Sequence, residues 1–64
     1  MYFIDQLKAA DTATVIASFY NAERIKIETF ANPDKQARVN HATALMVMDS
    51  CKQILRERNA INQL

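Results

Sequence analysis

The chain reads as an all-α protein, an antiparallel helical hairpin. Three observations predict it. Apolar residues recur at helical spacing through two long runs, glycine is absent, and Asn32-Pro33-Asp34 separates the runs. Asparagine as N-cap, proline at the first helical position and an aspartate in the first turn make a helix-start signal. The two helices therefore meet at a short turn and face each other antiparallel. The segmentation is a single hairpin domain over residues 1–64, with helix 1 at about 13–31, the turn at 32 and helix 2 at about 33–60.

The first residues fit this pattern least well. Met1-Tyr2-Phe3-Ile4 is apolar, but Asp5 and Lys8 cut it short and no basic stretch precedes it, which argues against a secretory signal. Ile4 and Leu7 are rotated towards the edge of the helix 1 stripe, and Asp11 or Thr12 can cap a new helix. Residues 5–12 either continue helix 1 through a bend near Ala10–Asp11 or form a short separate N-terminal helix. Tyr2 and Phe3 would be exposed aromatics on a fraying end unless they dock.

Helix 1 is predicted from the stripe Val15, Ile16, Phe19, Ala22, Ile27 and Phe30, with Tyr20 at its margin and Ile25 pointing away. Glu23 and Lys26 lie near that face, spaced to pair at i,i+3. Helix 2 follows from Ala37, Ala44, Val47, Met48, Cys51, Ile54 and Leu55, which share one arc flanked by His41 and Ile61. Asp34 suits its positive end, Lys52, Arg56 and Arg58 approach its negative end, and Asp34–Arg38 has i,i+4 spacing.

A chain of 64 residues buries only about 60% of its unfolded surface. Ordering it costs roughly 1.5 kcal/mol per residue, so small domains usually need a disulfide, a metal or a partner. One cysteine forms no internal disulfide and is compatible with a reducing cytosol, and a cytoplasmic location is the expectation. His41 and Cys51 are separated by about 15 Å of helix and do not share one ion. Association remains, through homo- or hetero-oligomerisation. Apolar residues left outside the seam mark where it would occur: Val39 and Met46 lie far from the helix 2 arc, and Leu45 lies at its edge.

No catalytic constellation is expected. Asp49-Ser50-Cys51 lacks an adjacent base, and Cys51 falls on the core arc. Without glycine there is no phosphate-cradling loop, and no cofactor or metal is predicted. The net charge of +1 excludes a polyionic protein. Lys35, Arg38, Lys52 and Arg56 share one side of helix 2 and form the only nucleic-acid stripe, interrupted by Leu45 and Asp49; four charges give a weak phosphate affinity. No apolar run approaches the roughly 18 residues of a membrane span.

The chain opens on Phe3-Ile4-Asp5-Gln6-Leu7, passes through Ala22-Glu23-Arg24-Ile25-Lys26-Ile27-Glu28 to Asn32-Pro33-Asp34-Lys35-Gln36, and continues along the ladder Ala44, Met48, Cys51 and Leu55. In this pattern it resembles the small cochaperones of type III secretion needle subunits. The resemblance implies a short helical hairpin that catalyses nothing. It would stabilise a larger chaperone of tetratricopeptide-type repeats and help hold a needle subunit before export. Its contacts would come from Phe19, Ile27, Phe30, Leu45, Met48 and Leu55, with Met46 added by its place outside the seam. The alternatives are a homodimeric four-helix bundle that binds RNA or DNA through the Lys35–Arg56 stripe, and a small inhibitor of another protein.

Overall fold

A computed structural model describes residues 3–64; Tyr2 and the side chain of Phe3, read above as terminal aromatics, lie outside the described residues. Three helices follow one another, α1 (Phe3–Ala9), α2 (Thr12–Thr29) and α3 (Lys35–Glu57), and a 3-10 turn at Ile61–Gln63 ends the chain. No strand occurs among the described residues. The hairpin is formed by α2 and α3, which pack along their lengths, while α1 and the 3-10 turn rest on α3.

The N-terminal segment is a separate helix. Asp11 stands in extended conformation as the N-cap of α2, its carboxylate accepting from the Thr14 N–H at 2.8 Å. That cap satisfies a donor at the start of α2 and separates it from α1. Leu7 turns inward from α1 and is 4% exposed, so this short helix contributes a core residue.

The α2–α3 turn differs in detail from the expectation. The N-cap of α3 is Asp34, whose carboxylate accepts from Gln36 N–H and Ala37 N–H; Pro33 precedes the helix and does not open it. Asn32 instead accepts from the Asp34 N–H at 2.9 Å, bracing the loop. Thr29–Asn32 closes as a type II turn, with Phe30 at φ −60°, ψ 129°, Ala31 at φ 58° and Asn32 N–H donating to Thr29 O. The capping role also removes Asp34 from the predicted pair with Arg38. Among the described residues the ion pair is Arg24–Glu28 on the outside of α2, and Glu23–Lys26 does not form.

At its other end α3 stops sooner than expected. Asn59 takes φ 56°, Asn59 N–H donates to Arg56 O and Ala60 N–H to Leu55 O at 2.7 Å. This is a Schellman closure, with buried Ala60 supplying its apolar contact. Ile61 thus belongs to the 3-10 turn and packs back on the core from outside α3.

The core joins Leu7, Val15, Phe19 and Ala22 to Ala44, Met48, Cys51, Ile54, Leu55 and Ala60. The helix 2 arc is placed as the periodicity predicts, with only Val47 half-buried. The helix 1 stripe is corrected over its last two turns. Ile27 is 67% and Phe30 76% exposed, whereas Ile25 packs against the core. The cause is geometric. A seam of period 3.5 drifts about 20° per heptad around a helix of period 3.6. By the turn end it has moved from Val15 and Phe19 towards Ile25 and Thr29.

Candidate interaction surface

The hairpin's closed end is pinned by a polar contact that leaves apolar groups outside it. Thr29 Oγ1 donates to Ile25 O at 2.6 Å and lies 3.1 Å from His41 Nδ1. A hydroxyl has one proton, already given to Ile25, so His41 Nδ1 is the donor in this contact. The imidazole is thereby held half-buried on α3, its ring 6.5 Å from that of Phe30 and inclined by 52°. Phe30, Ile27, Lys26 and His41 line a hollow of about 440 Å³. Leu45, one helical turn beyond His41, is 42% exposed, and Tyr20, two turns before Ile27, is 46% exposed. Tyr20, Ile27, Phe30 and Leu45 are thus exposed apolar groups on one face of the hairpin, with Lys26 and His41 among them.

The predicted interface residues therefore fall into two sets. Ile27, Phe30, Leu45 and Met46 are exposed, with Met46 at 69%. Phe19, Met48 and Leu55 are buried at 6%, 7% and 0%, within the chain's own core. In the single chain they belong to the interior, because the α2–α3 seam is deepest at its middle and open end. Met46 and Val39 lie across α3 from the core, away from the face around Phe30.

The basic stripe is dispersed. Lys35, Arg38 and Arg56 are exposed, whereas Lys52 is half-buried with Nζ 5.8 Å from the Phe19 ring centroid. Its stem covers a core aromatic and its charge rests over that ring. Lys35 to Arg56 spans about 30 Å of helix, too sparse for a dense phosphate track.

Cys51 is fully buried, and burial pushes its thiol above the usual range. An inward, undissociated thiol is a poor nucleophile. Among the described residues no three His, Cys, Asp or Glu side chains converge as a metal site, and no helix is long and apolar enough to cross a membrane.

Arg58 carries a role that the helix-end reading missed. From the C-cap of α3 its guanidinium donates to Lys8 O at 2.9 Å, Ala10 O at 2.7 Å and Thr12 Oγ1 at 3.2 Å. It bridges the α1–α2 junction to the end of α3, a separation of 46 to 50 residues that no local motif reveals. Asp11 sits at the same junction. Its bonds to Thr14, aided by the Arg58 charge, hold its carboxyl below the usual carboxylate range.

Comparison with known proteins adds no relative: no family model, curated protein or solved structure matches the chain.

Proposed function

We propose that the protein is a small, non-enzymatic interaction module acting in the cytoplasm as the cochaperones it resembles do, covering apolar surface on a larger helical-repeat chaperone. In that role it stabilises the chaperone, and the pair holds an export substrate of the needle-subunit kind before secretion. One observation carries the reading. The hairpin closes its own core and still presents Ile27, Phe30 and Leu45 together on one face, while Met46 is exposed across α3, away from that face. An exposed aromatic with apolar neighbours beside a hollow is the form that an anchor residue and its surroundings take at protein interfaces. A repeat chaperone supplies a concave surface of helices against which such a face docks.

The test is co-purification from the native host with the intact chain as bait, comparing wild type with Phe30→Glu and Met46→Glu. The expected result is retention of a repeat-helix chaperone by the wild type and its loss with Phe30→Glu, at unchanged helical circular dichroism. Truncating an interface anchor costs about 2 kcal/mol or more, roughly a 30-fold weakening. A chaperone retained equally by both variants would remove this face from the interaction. Recovery of no repeat-helix protein would remove the cochaperone role.

A further inference from the structure

We infer that the junction between α1 and α2 is a two-state hinge that Arg58 holds bent. When the guanidinium lets go, residues 3–29 run as one straight helix, Leu7 leaves the core and α1 becomes an exposed apolar arm. The junction lies at the open end of the hairpin, away from the Phe30 face, so its behaviour is independent of what covers that face.

The covalent chain places no obstacle to a straight helix. The one proline is Pro33 and glycine is absent, so nothing between Phe3 and Thr29 forbids helical backbone. Ala9 and Ala10, beside the break, are of the residue type that favours helix most. The break is made instead by hydrogen bonds to groups that a straight helix would use. In a continuous α-helix the Thr12 N–H would donate to Lys8 O and the Thr14 N–H to Ala10 O. Here Arg58 donates to both carbonyls, at 2.9 Å and 2.7 Å, and the Asp11 carboxylate accepts from the Thr14 N–H at 2.8 Å. Leu7 O, which the Asp11 N–H would reach in a straight helix, accepts from the Ala10 N–H at 3.1 Å. Asp11 itself stands extended at φ −71°, ψ 165°. Straightening thus exchanges one set of partners for another and strips no polar group bare. Two arrangements of one sequence then lie close in free energy.

The bent form rests on a small attachment. A helix of seven residues does not stand alone in water, and among its described side chains Leu7 alone is buried. Arg58 is the other tie. Thr12 is level with Arg58, as their 3.2 Å hydrogen bond shows, and α3 ends at Glu57. A straight helix would therefore carry residues 3–11 past the end of α3, an overhang of about 13 Å. Ile4 and Leu7, three residues apart, would lie bare on it. The cluster that Leu7 shares with Val15, Ile54 and Leu55 would lose one of its members. The straight form offers apolar groups that the bent form hides, so a partner that binds them draws the equilibrium towards it.

Nuclear magnetic resonance of the full chain reads the two states, through Cα shifts along residues 3–14 and contacts of the Leu7 methyls with core side chains. The wild type should show a helical break at Ala10–Asp11 with Leu7 docked. Arg58→Ala should move the shifts of Ala10 and Asp11 to helical values, join α1 to α2 without interruption and lose the Leu7 contacts. Asp11→Ala frees the Thr14 N–H, leaves Arg58 in place and should move the Ala10 shift part of the way. Amide exchange alone does not separate the cases, because a solvated helix end also exchanges readily. A persistent break in Arg58→Ala, with Leu7 still docked, overturns the inference. So does an Arg58→Ala chain whose residues 3–10 lose helical shifts altogether, since Arg58 would then be only an anchor. Should Arg58→Ala unfold the whole hairpin, Asp11→Ala decides, and a junction unchanged by it overturns the hinge.

Discussion

Ala31 holds φ at 58°, a conformation that costs a residue with a Cβ roughly 1–2 kcal/mol. It occupies the third position of a type II turn, where glycine is the natural choice, in a chain that contains none. Ala31→Gly should therefore stabilise the protein. Relief of strain, less the extra freedom glycine brings to the unfolded chain, leaves a gain of about 0.5–1 kcal/mol. For a domain this small that is a rise in Tm of roughly 2–8 °C, measured at fixed protein concentration. The same change at Asn59, also left-handed at φ 56°, should gain less, because asparagine tolerates that region. A fall in Tm with Ala31→Gly would show that the turn is held differently. At Asp11 the prediction concerns pH. Its folded carboxyl titrates below its unfolded value, so its contribution is present above the ordinary carboxylate range of about 4 and is lost as pH falls through the folded pKa. Asp11→Asn keeps an oxygen for the Thr14 N–H but has no proton to gain. It should flatten the acid limb of a Tm-against-pH curve, and an unchanged limb would assign the acid sensitivity to other carboxylates.

The elements were legible in the sequence to the extent that local chemistry determines them. The helical period set the inner face of α3 from Ala37 to Leu55, and the helix-start residues marked the turn. The identity of the cap was less legible, since Asn32, Pro33 and Asp34 each suit a helix start. The choice depends on the path needed to cross from α2 to α3. The residue before a proline prefers extended backbone, so Asn32 and Pro33 serve as the bridge and Asp34 becomes the cap. The outward turn of Ile27 and Phe30 was not legible either, because it comes from drift of the seam across the whole hairpin. Arg58 was least legible of all, its partners being distant in sequence. It gives the element-scale prediction. Among the described side chains of α1, Leu7 alone is fully inside, and the Arg58 hydrogen bonds to Lys8 O and Ala10 O tie the end of that helix to α3. Arg58→Lys retains the charge but not the planar fork that reaches three acceptors. It should abolish amide-exchange protection in Phe3–Ala9 while leaving most of α2 and α3 protected. Protection lost uniformly across the molecule would make α1 part of one cooperative unit.

At the scale of the whole molecule the question is which apolar groups hold the chain together and which are left for something else. Exposure divides the residues expected at an interface, with Phe19, Met48 and Leu55 inside and Ile27, Phe30, Leu45 and Met46 outside. The division has unequal energetic consequences. Leu55 is fully buried, and truncating it to alanine removes transfer energy and opens a cavity, a loss of about 2–5 kcal/mol. A chain of this length has on the order of 3–10 kcal/mol of net stability, so Leu55→Ala should remove a large part of it and lower Tm by about 8 °C or more. Phe30 and Met46 are both exposed, and substitutions at such surface sites usually stay within about 0.5 kcal/mol. In dilute solution, where self-association is negligible, both should melt within roughly 4 °C of wild type. Dilution separates the two roles. Any deficit of Phe30→Glu that grows with protein concentration measures an interface, because only the wild type gains stability by mass action. A deficit as large as that of Leu55→Ala and independent of concentration would instead place Phe30 within the single-chain fold, and the apolar face would cease to be a surface kept for a partner.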